Sequence, residues 1–170
     1  MSDVIIRPGR SEELSDIAAL NDRAFGGPDE GRITRALWTD GDTLLSLVAE
    51  IEGKLIGHIE MFRIRVDGAD CAAGLGPMSI YPDYQKTGIG SALVRRALAA
   101  MHSAQRLPVF VLGHPDYYPR FGFSAEAAEA FSAPWSGPAF MAWCADEASV
   151  SKGELTYPRA FAGEPPRDAI

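Results

Sequence analysis

The chain has 170 residues, of which 46% are hydrophobic and 23% are charged, the balance of one ordinary globular domain. Its formal net charge is −7, which argues against a general binder of nucleic acid or of anionic membranes. No apolar run approaches the roughly 18 residues that span a bilayer, and the first residues predict no secretory signal. Cys71 and Cys144 are too few for a disulfide framework, so we expect small buried thiols in a reducing cytosol.

In chain order, the first half of the sequence predicts strands at 4–6, 43–51, 54–66 and 69–80, and helices at 11–25 and 29–38. Capping residues, the spacing of apolar side chains and turn-forming glycines set these bounds. The last three strands form hairpins. Gly74 and the pair Gly76-Pro77 interrupt the strand at 69–80, which indicates a bulge or a close backbone approach.

The second half predicts a helix at 88–103, because Ile89, Leu93, Ala97 and Met101 recur every four residues. A wholly apolar strand follows at 108–112, and this order implies a right-handed crossover to a parallel neighbour. A last strand is expected at 139–144, and the residues from 149 onward are expected to run over the surface as coil. We therefore assign 1–148 to a single domain and 149–170 to a C-terminal tail that packs on this domain or extends from it.

A glycine-containing turn lies between the strand at 69–80 and the long helix. Free backbone N–H groups at a helix start, together with the helix dipole, suit a phosphate group. A dinucleotide-binding fingerprint needs a third glycine where Leu93 stands, and the Lys-Ser/Thr pair of a P-loop is missing. What remains is Gln85-x-x-Gly88-x-Gly90, inside a basic stretch that has no acidic residue between Tyr84 and Pro115.

This pattern resembles the central motif of the GNAT superfamily of acetyl-CoA-dependent N-acyltransferases, Gln/Arg-x-x-Gly-x-Gly/Ala after a bulged fourth strand. A second match, Tyr118-x-x-x-Gly122-Phe123, is similar to the Tyr-x-x-x-Gly-Phe of that family just beyond its fifth strand. The resemblance covers residues 6–144 and is to a bacterial, largely unassigned branch. Val111 departs from it, because many members have an asparagine seven residues before the tyrosine.

The resemblance implies an α/β (α+β) fold, with a mixed, mostly antiparallel sheet, splayed fourth and fifth strands, and flanking helices. It implies a cytoplasmic N-acetyltransferase that moves an acetyl group from acetyl-CoA to a primary amine of a small molecule or protein by direct attack, without a metal. Neither nucleic acid nor membrane is an expected partner, and the resemblance is compatible with a monomer or a homodimer.

The resemblance also implies roles for particular residues. Tyr118 aligns with the general acid that protonates the leaving thiolate, and its neighbour Tyr117 is the alternative. The Met78 amide would donate to the thioester oxygen, and the backbone of Met78 and Ile80 would pair with the pantetheine arm like an extra strand. The residues implied to bind acetyl-CoA are Met78, Ser79, Ile80, Gln85, Lys86, Thr87, Gly88, Ile89, Gly90, Ser91 and Phe121.

Three questions stay open at this point. The base that would deprotonate the amine is not assigned among its candidates, His58, Glu60, His114 and Asp116. A non-catalytic acyl-CoA-binding sensor would keep the glycine turn without needing Tyr118. Residues 1–85 carry eight basic and fifteen acidic residues, which leads to the hypothesis that the acceptor is cationic near its amine.

Overall fold

The computed structural model describes residues 3–170. The prediction that there is no secretory signal rests on the first residues of the chain. Two of these, Met1 and Ser2, lie outside the described residues. The helices are α1 (Leu14–Phe25), α2 (Asp29–Thr39), α3 (Ile89–Ser103) and α4 (Ala125–Ala128). The strands are β1 (Ile5–Pro8), β2 (Thr43–Ile51), β3 (Lys54–Val66), β4 (Ala69–Ile80), β5 (Val109–Leu112), β6 (Phe131–Ser132), β7 (Phe140–Trp143), β8 (Gly153–Thr156) and β9 (Asp168–Ala169).

The main sheet runs in the order β1-β2-β3-β4-β5-β7. Each neighbouring pair is antiparallel except β4 and β5, which are parallel, as the crossover through α3 predicts. The bounds of β2, β3 and β4 agree with those predicted from the hairpin pattern. The mixed α/β fold implied by the resemblance is therefore confirmed.

Helix α3 packs its apolar stripe onto one face of this sheet. Leu93 and Ala97 are fully buried there, and Met101 is nearly so. They share a core with side chains of β3, β4 and β5. This packing fixes the first turn of α3 directly beyond the end of β4, which is where the glycine turn lies.

The segment after residue 149 is not the surface coil that the sequence predicts. Strand β8 pairs with β3 and β6, and Leu155 and Phe161 are buried in a second core. Strand β9 pairs with β4. The glycines and prolines of this segment suggested coil, but its few apolar side chains are covered by contacts distant in sequence, which local spacing does not reveal.

Two smaller expectations concern the cysteines and the membrane. Cys71 and Cys144 are only partly buried, rather than fully buried as predicted. Within residues 3–170, no helix is both long enough and apolar enough to cross a membrane.

Candidate functional site

A splay between β4 and β5 forms the centre of the candidate site. The two strands pair only at Ala73 with Val109 and at Gly74 with Phe110. Strand β3 continues along the other edge of β4 as far as Ile80. The edge of β4 from Met78 onward therefore faces away from β3 and is released from β5, as the resemblance implies.

The glycine turn lies at the end of this edge of β4. Lys86 and Gly88 have positive φ angles of 62° and 92°, and α3 begins immediately afterwards at Ile89. The first N–H groups of α3 have no partner within the helix, because no preceding turn supplies a carbonyl. A Cβ atom at Gly88 would meet no atom within 4 Å, so the main chain is open there.

A cavity of about 490 Å³ opens on this turn. It brings together residues from the end of β4, from the start of α3 and from the loop after β5. Its lining residues are Ile80, Lys86, Gly88, Gly90, Ser91, His114, Asp116, Tyr117, Arg120 and Ile170. Amide donors, Lys86 and Arg120 together suit a ligand with phosphate groups.

Two of the predicted binding residues brace the turn instead of lining the cavity. The Gln85 side chain donates to the carbonyl of Ile80 over 3.1 Å, and the Thr87 hydroxyl donates to the carbonyl of Tyr84 over 2.5 Å. These bonds hold the turn against the end of β4. Their direct contact with a ligand stays a prediction.

The three predicted residues at the end of β4 divide between the two faces of the sheet. Met78 and Ile80 are buried in the core under α3, and the Met78 side chain lies beside Gly90. Ser79 is on the opposite face, where it pairs in register with His58. Its buried hydroxyl has no hydrogen-bond partner in the part of the chain that is described.

The two adjacent tyrosines have different surroundings. Tyr118 is fully buried, and its hydroxyl donates to Asp168 Oδ2 over 2.5 Å inside the splay. Burial, and then the neighbouring Asp168 carboxylate, raise the pKa of Tyr118 well above its usual value. The Tyr117 hydroxyl instead lies 2.9 Å from Ser91 Oγ at the start of α3. The splay thus holds Tyr118, and the glycine turn holds Tyr117.

Strand β9 lies in the splay and is the feature that sequence reasoning missed. It pairs with β4 in parallel, Met78 with Asp168 and Ser79 with Ala169, and the Met78 amide donates to the carbonyl of Arg167 over 3.1 Å. The resemblance implies that the pantetheine arm of acetyl-CoA pairs with the backbone of Met78 and Ile80 like an extra strand. Here the chain's own C-terminal residues form it, and a separation of about ninety residues leaves no local signal for the pairing.

Phe121 does not line the cavity at the glycine turn. Its ring lies 5.2 Å from the Arg95 guanidinium, in a neighbouring cavity of about 620 Å³ that also contains Trp143 and Arg120. Arg120 lies on both cavities. Sequence reasoning did not select Arg120, although it lies inside the second motif.

The candidate bases fall into two groups. His58 and Glu60 are fully buried on one face of β3, as their spacing predicts, with Nε2 of His58 2.8 Å from Oε2 of Glu60. His114 and Asp116 lie on the cavity at the glycine turn. Nδ1 of His114 is 3.0 Å from Asp168 Oδ1. Neither group is assigned as the base.

Comparison with known proteins gives the family. A model of the acetyltransferase (GNAT) domain matches residues 5–125. The chain belongs to the GNAT acetyltransferase family. Among curated GNAT relatives, it is 36% identical over 132 residues to the uncharacterized N-acetyltransferase YjhQ of Escherichia coli (strain K12), which covers 74% of this chain and 73% of that protein. The uncharacterized N-acetyltransferase YhbS of the same strain is 32% identical over 136 residues, covering 79% of this chain and 81% of the relative.

Solved GNAT structures extend the likeness to most of the chain. A GNAT family acetyltransferase from Brucella melitensis in complex with acetyl-CoA has a TM-score of 0.80 and 31% identity, covering 95% of this chain and 99% of that one. The YhbS structure from Escherichia coli in complex with CoA has a TM-score of 0.87 and 27% identity, covering 95% and 93%.

Proposed function

We propose that this protein is an N-acetyltransferase that moves the acetyl group of acetyl-CoA to a primary amine by direct attack. The observation that carries the proposal is the juxtaposition of an open glycine turn, a splayed β4 edge and the buried Tyr118 hydroxyl in that splay. The acetyl-CoA and CoA complexes of its GNAT relatives support the choice of cosubstrate.

Each part of the site has a task in this reaction. The amides of the glycine turn and Lys86 bind the diphosphate. The extended arm displaces β9 and pairs with the edge of β4. The Met78 N–H, which donates to the Arg167 carbonyl in this structure, then donates to the thioester oxygen as negative charge develops on it. Tyr118 supplies a proton at the sulfur position. Its hydroxyl is released from Asp168 once β9 leaves the splay, and an ordinary tyrosine is protonated at neutral pH.

The chemical step balances without a further reactant. The amine nitrogen forms a bond to the acetyl carbon, and the carbon–sulfur bond breaks. The amine gives one proton to solvent, and the thiolate takes one from Tyr118, which solvent then reprotonates. The products are an acetamide and free CoA.

A sensor that binds acetyl-CoA without turnover is the second candidate, because it needs the glycine turn but not Tyr118. Calorimetry with acetyl-CoA, followed by thiol release over a panel of amines, separates the two. We expect binding and acceptor-dependent thiol release. Binding without release for any amine would favour the sensor.

The position of β9 gives a prediction about affinity. A chain that ends at Pro165 lacks the strand that lies on β4, so acetyl-CoA no longer competes with Arg167 for the Met78 amide. We expect the dissociation constant of acetyl-CoA to be about tenfold lower for the shortened chain. In the full chain, only the fraction of molecules whose splay is free of β9 binds acetyl-CoA. Calorimetry on both chains measures this, with melting curves as a check on folding. Equal affinities would mean that the arm and β9 do not share the edge of β4.

A further inference from the structure

The C-terminal segment 166–170 runs along the splay. Ile170, at its end, lies in the cavity of the glycine turn, where the diphosphate is proposed to bind. Pro166, at its start, lies against Gly76, close to the point where β4 and β5 are still paired. Acetyl-CoA enters from the glycine turn in the proposed function, so an acceptor would reach the acetyl group from the end of the segment near Pro166.

At that end of the segment, Arg167 is held by two residues of the first helices. Its Nε donates to Glu30 Oε1 over 2.6 Å, and its guanidinium lies 5.1 Å from the centre of the Phe25 ring. The Glu30 side chain is only 5% exposed, although the Arg167 side chain is 56% exposed. A buried carboxylate needs a positively charged partner, and an aromatic face beside it also attracts a cation. Because Arg167 supplies that charge from an exposed position, another cation could take its place.

Arg167 also touches the acyl site through its backbone. Its carbonyl oxygen accepts from the Met78 amide, the position proposed for the thioester oxygen. One residue therefore spans from the proposed acyl position to Glu30. The Arg167 carbonyl occupies the position proposed for the thioester carbonyl. The Arg167 guanidinium occupies the position proposed for a positively charged group of the acceptor.

We propose that Glu30 and Phe25 form an acceptor subsite for a second cationic group, and that Arg167 fills this subsite when neither acetyl-CoA nor an acceptor is bound. The inference rests on the proposed acetyltransferase function and narrows its substrate class. Three methylene groups of Arg167 separate its Cα from the Nε that binds Glu30. An amine that follows the same path and lies within attack distance of the acetyl carbon is therefore separated from the second charge by about three or four methylene groups. The acceptor class is thus a diamine or a longer polycation with that spacing.

The test compares trimethylenediamine and tetramethylenediamine with propylamine and butylamine, using thiol release by the full chain. We expect kcat/KM for each diamine to exceed that of the matched monoamine by about tenfold or more, since hydrogen bonds to charged groups contribute more than neutral ones. Glu30→Gln should bring this ratio close to one. The ratio compares two acceptors of the same protein, so an effect of the variant on β9 or on acetyl-CoA binding cancels from it.

Asp29→Asn is the matched control, because Asp29 is a neighbouring carboxylate whose side chain is 57% exposed and paired with Arg32. It should leave the ratio as in the parent chain. Arg167→Ala removes the occupant without changing the subsite, and it should raise kcat/KM for diamines more than for monoamines. This variant keeps the test meaningful even if Glu30→Gln impairs folding.

Two results would overturn the subsite. One is an unmodified chain that acetylates monoamines and diamines equally well; the proposed function would then stand without it. The other is a Glu30→Gln chain that folds and retains the preference. If no amine is acetylated, the proposed function fails, and calorimetry of trimethylenediamine with the Arg167→Ala chain decides the subsite. Binding that Glu30→Gln abolishes would support it, and no binding would refute it.

Discussion

Tyr118→Phe should lower kcat for acetyl transfer by about 10²–10⁴, the usual contribution of a general acid. The change removes the only ionisable hydrogen of the side chain but keeps its ring, which packs in the core beside Phe123. Acetyl-CoA affinity should not fall, since the lost hydroxyl contacts Asp168 of β9 rather than the glycine turn. Steady-state thiol release and calorimetry measure the two quantities.

Tyr117→Phe is the matched control, one residue away and bonded to Ser91 instead. It should keep kcat within a few fold. A full-rate Tyr118→Phe protein, assayed where chemistry limits turnover, would rule out the acid role. If Tyr118 only anchors a buried hydrogen bond, melting curves should show a loss of about 1–3 kcal/mol with kcat unchanged.

Gly88→Glu is expected to have the second large effect. The backbone there has a φ of 92° and an open approach to the cavity, so the new carboxylate projects where the diphosphate is proposed to bind. Losing two hydrogen bonds to a charged group costs about 3–6 kcal/mol, which corresponds to a loss of about 10²–10⁴ in acetyl-CoA affinity. Calorimetry on the folded variant measures it.

The backbone conformation at Gly88 requires its own control. A positive φ strains most side chains, but asparagine tolerates it better than other residues. Gly88→Asn should therefore retain much more affinity for acetyl-CoA than Gly88→Glu. This difference would separate the effect of charge and bulk from the effect of backbone strain. Unchanged affinity in a folded Gly88→Glu protein would place the diphosphate elsewhere.

The sequence predicts the strands and helices around the site well because each has a local signal. Short turns at Glu52-Gly53 and Asp67-Gly68 join β2, β3 and β4 as hairpins. Helix α3 repeats its apolar residues every four positions. The glycine turn was located for the same reason, since a helix start and the main-chain freedom of Gly88 are both local properties.

The C-terminal strand could not be predicted in this way. Strand β9 is two residues long, and Asp168 and Ala169 have low intrinsic preference for strands. Its pairing depends on the released edge of β4 and on contacts to Tyr118 and Glu30, all distant in sequence. The residues that this strand adds to the site, Arg167, Asp168 and Ile170, were therefore missed.

The most direct test of the account is transfer of an isotope-labelled acetyl group from acetyl-CoA to an amine by the full chain, followed by mass spectrometry of the products. The account predicts one labelled acetamide for each CoA released, with both products lost together in Tyr118→Phe. Binding of acetyl-CoA with no labelled amine product, under conditions where the protein is folded, would contradict it.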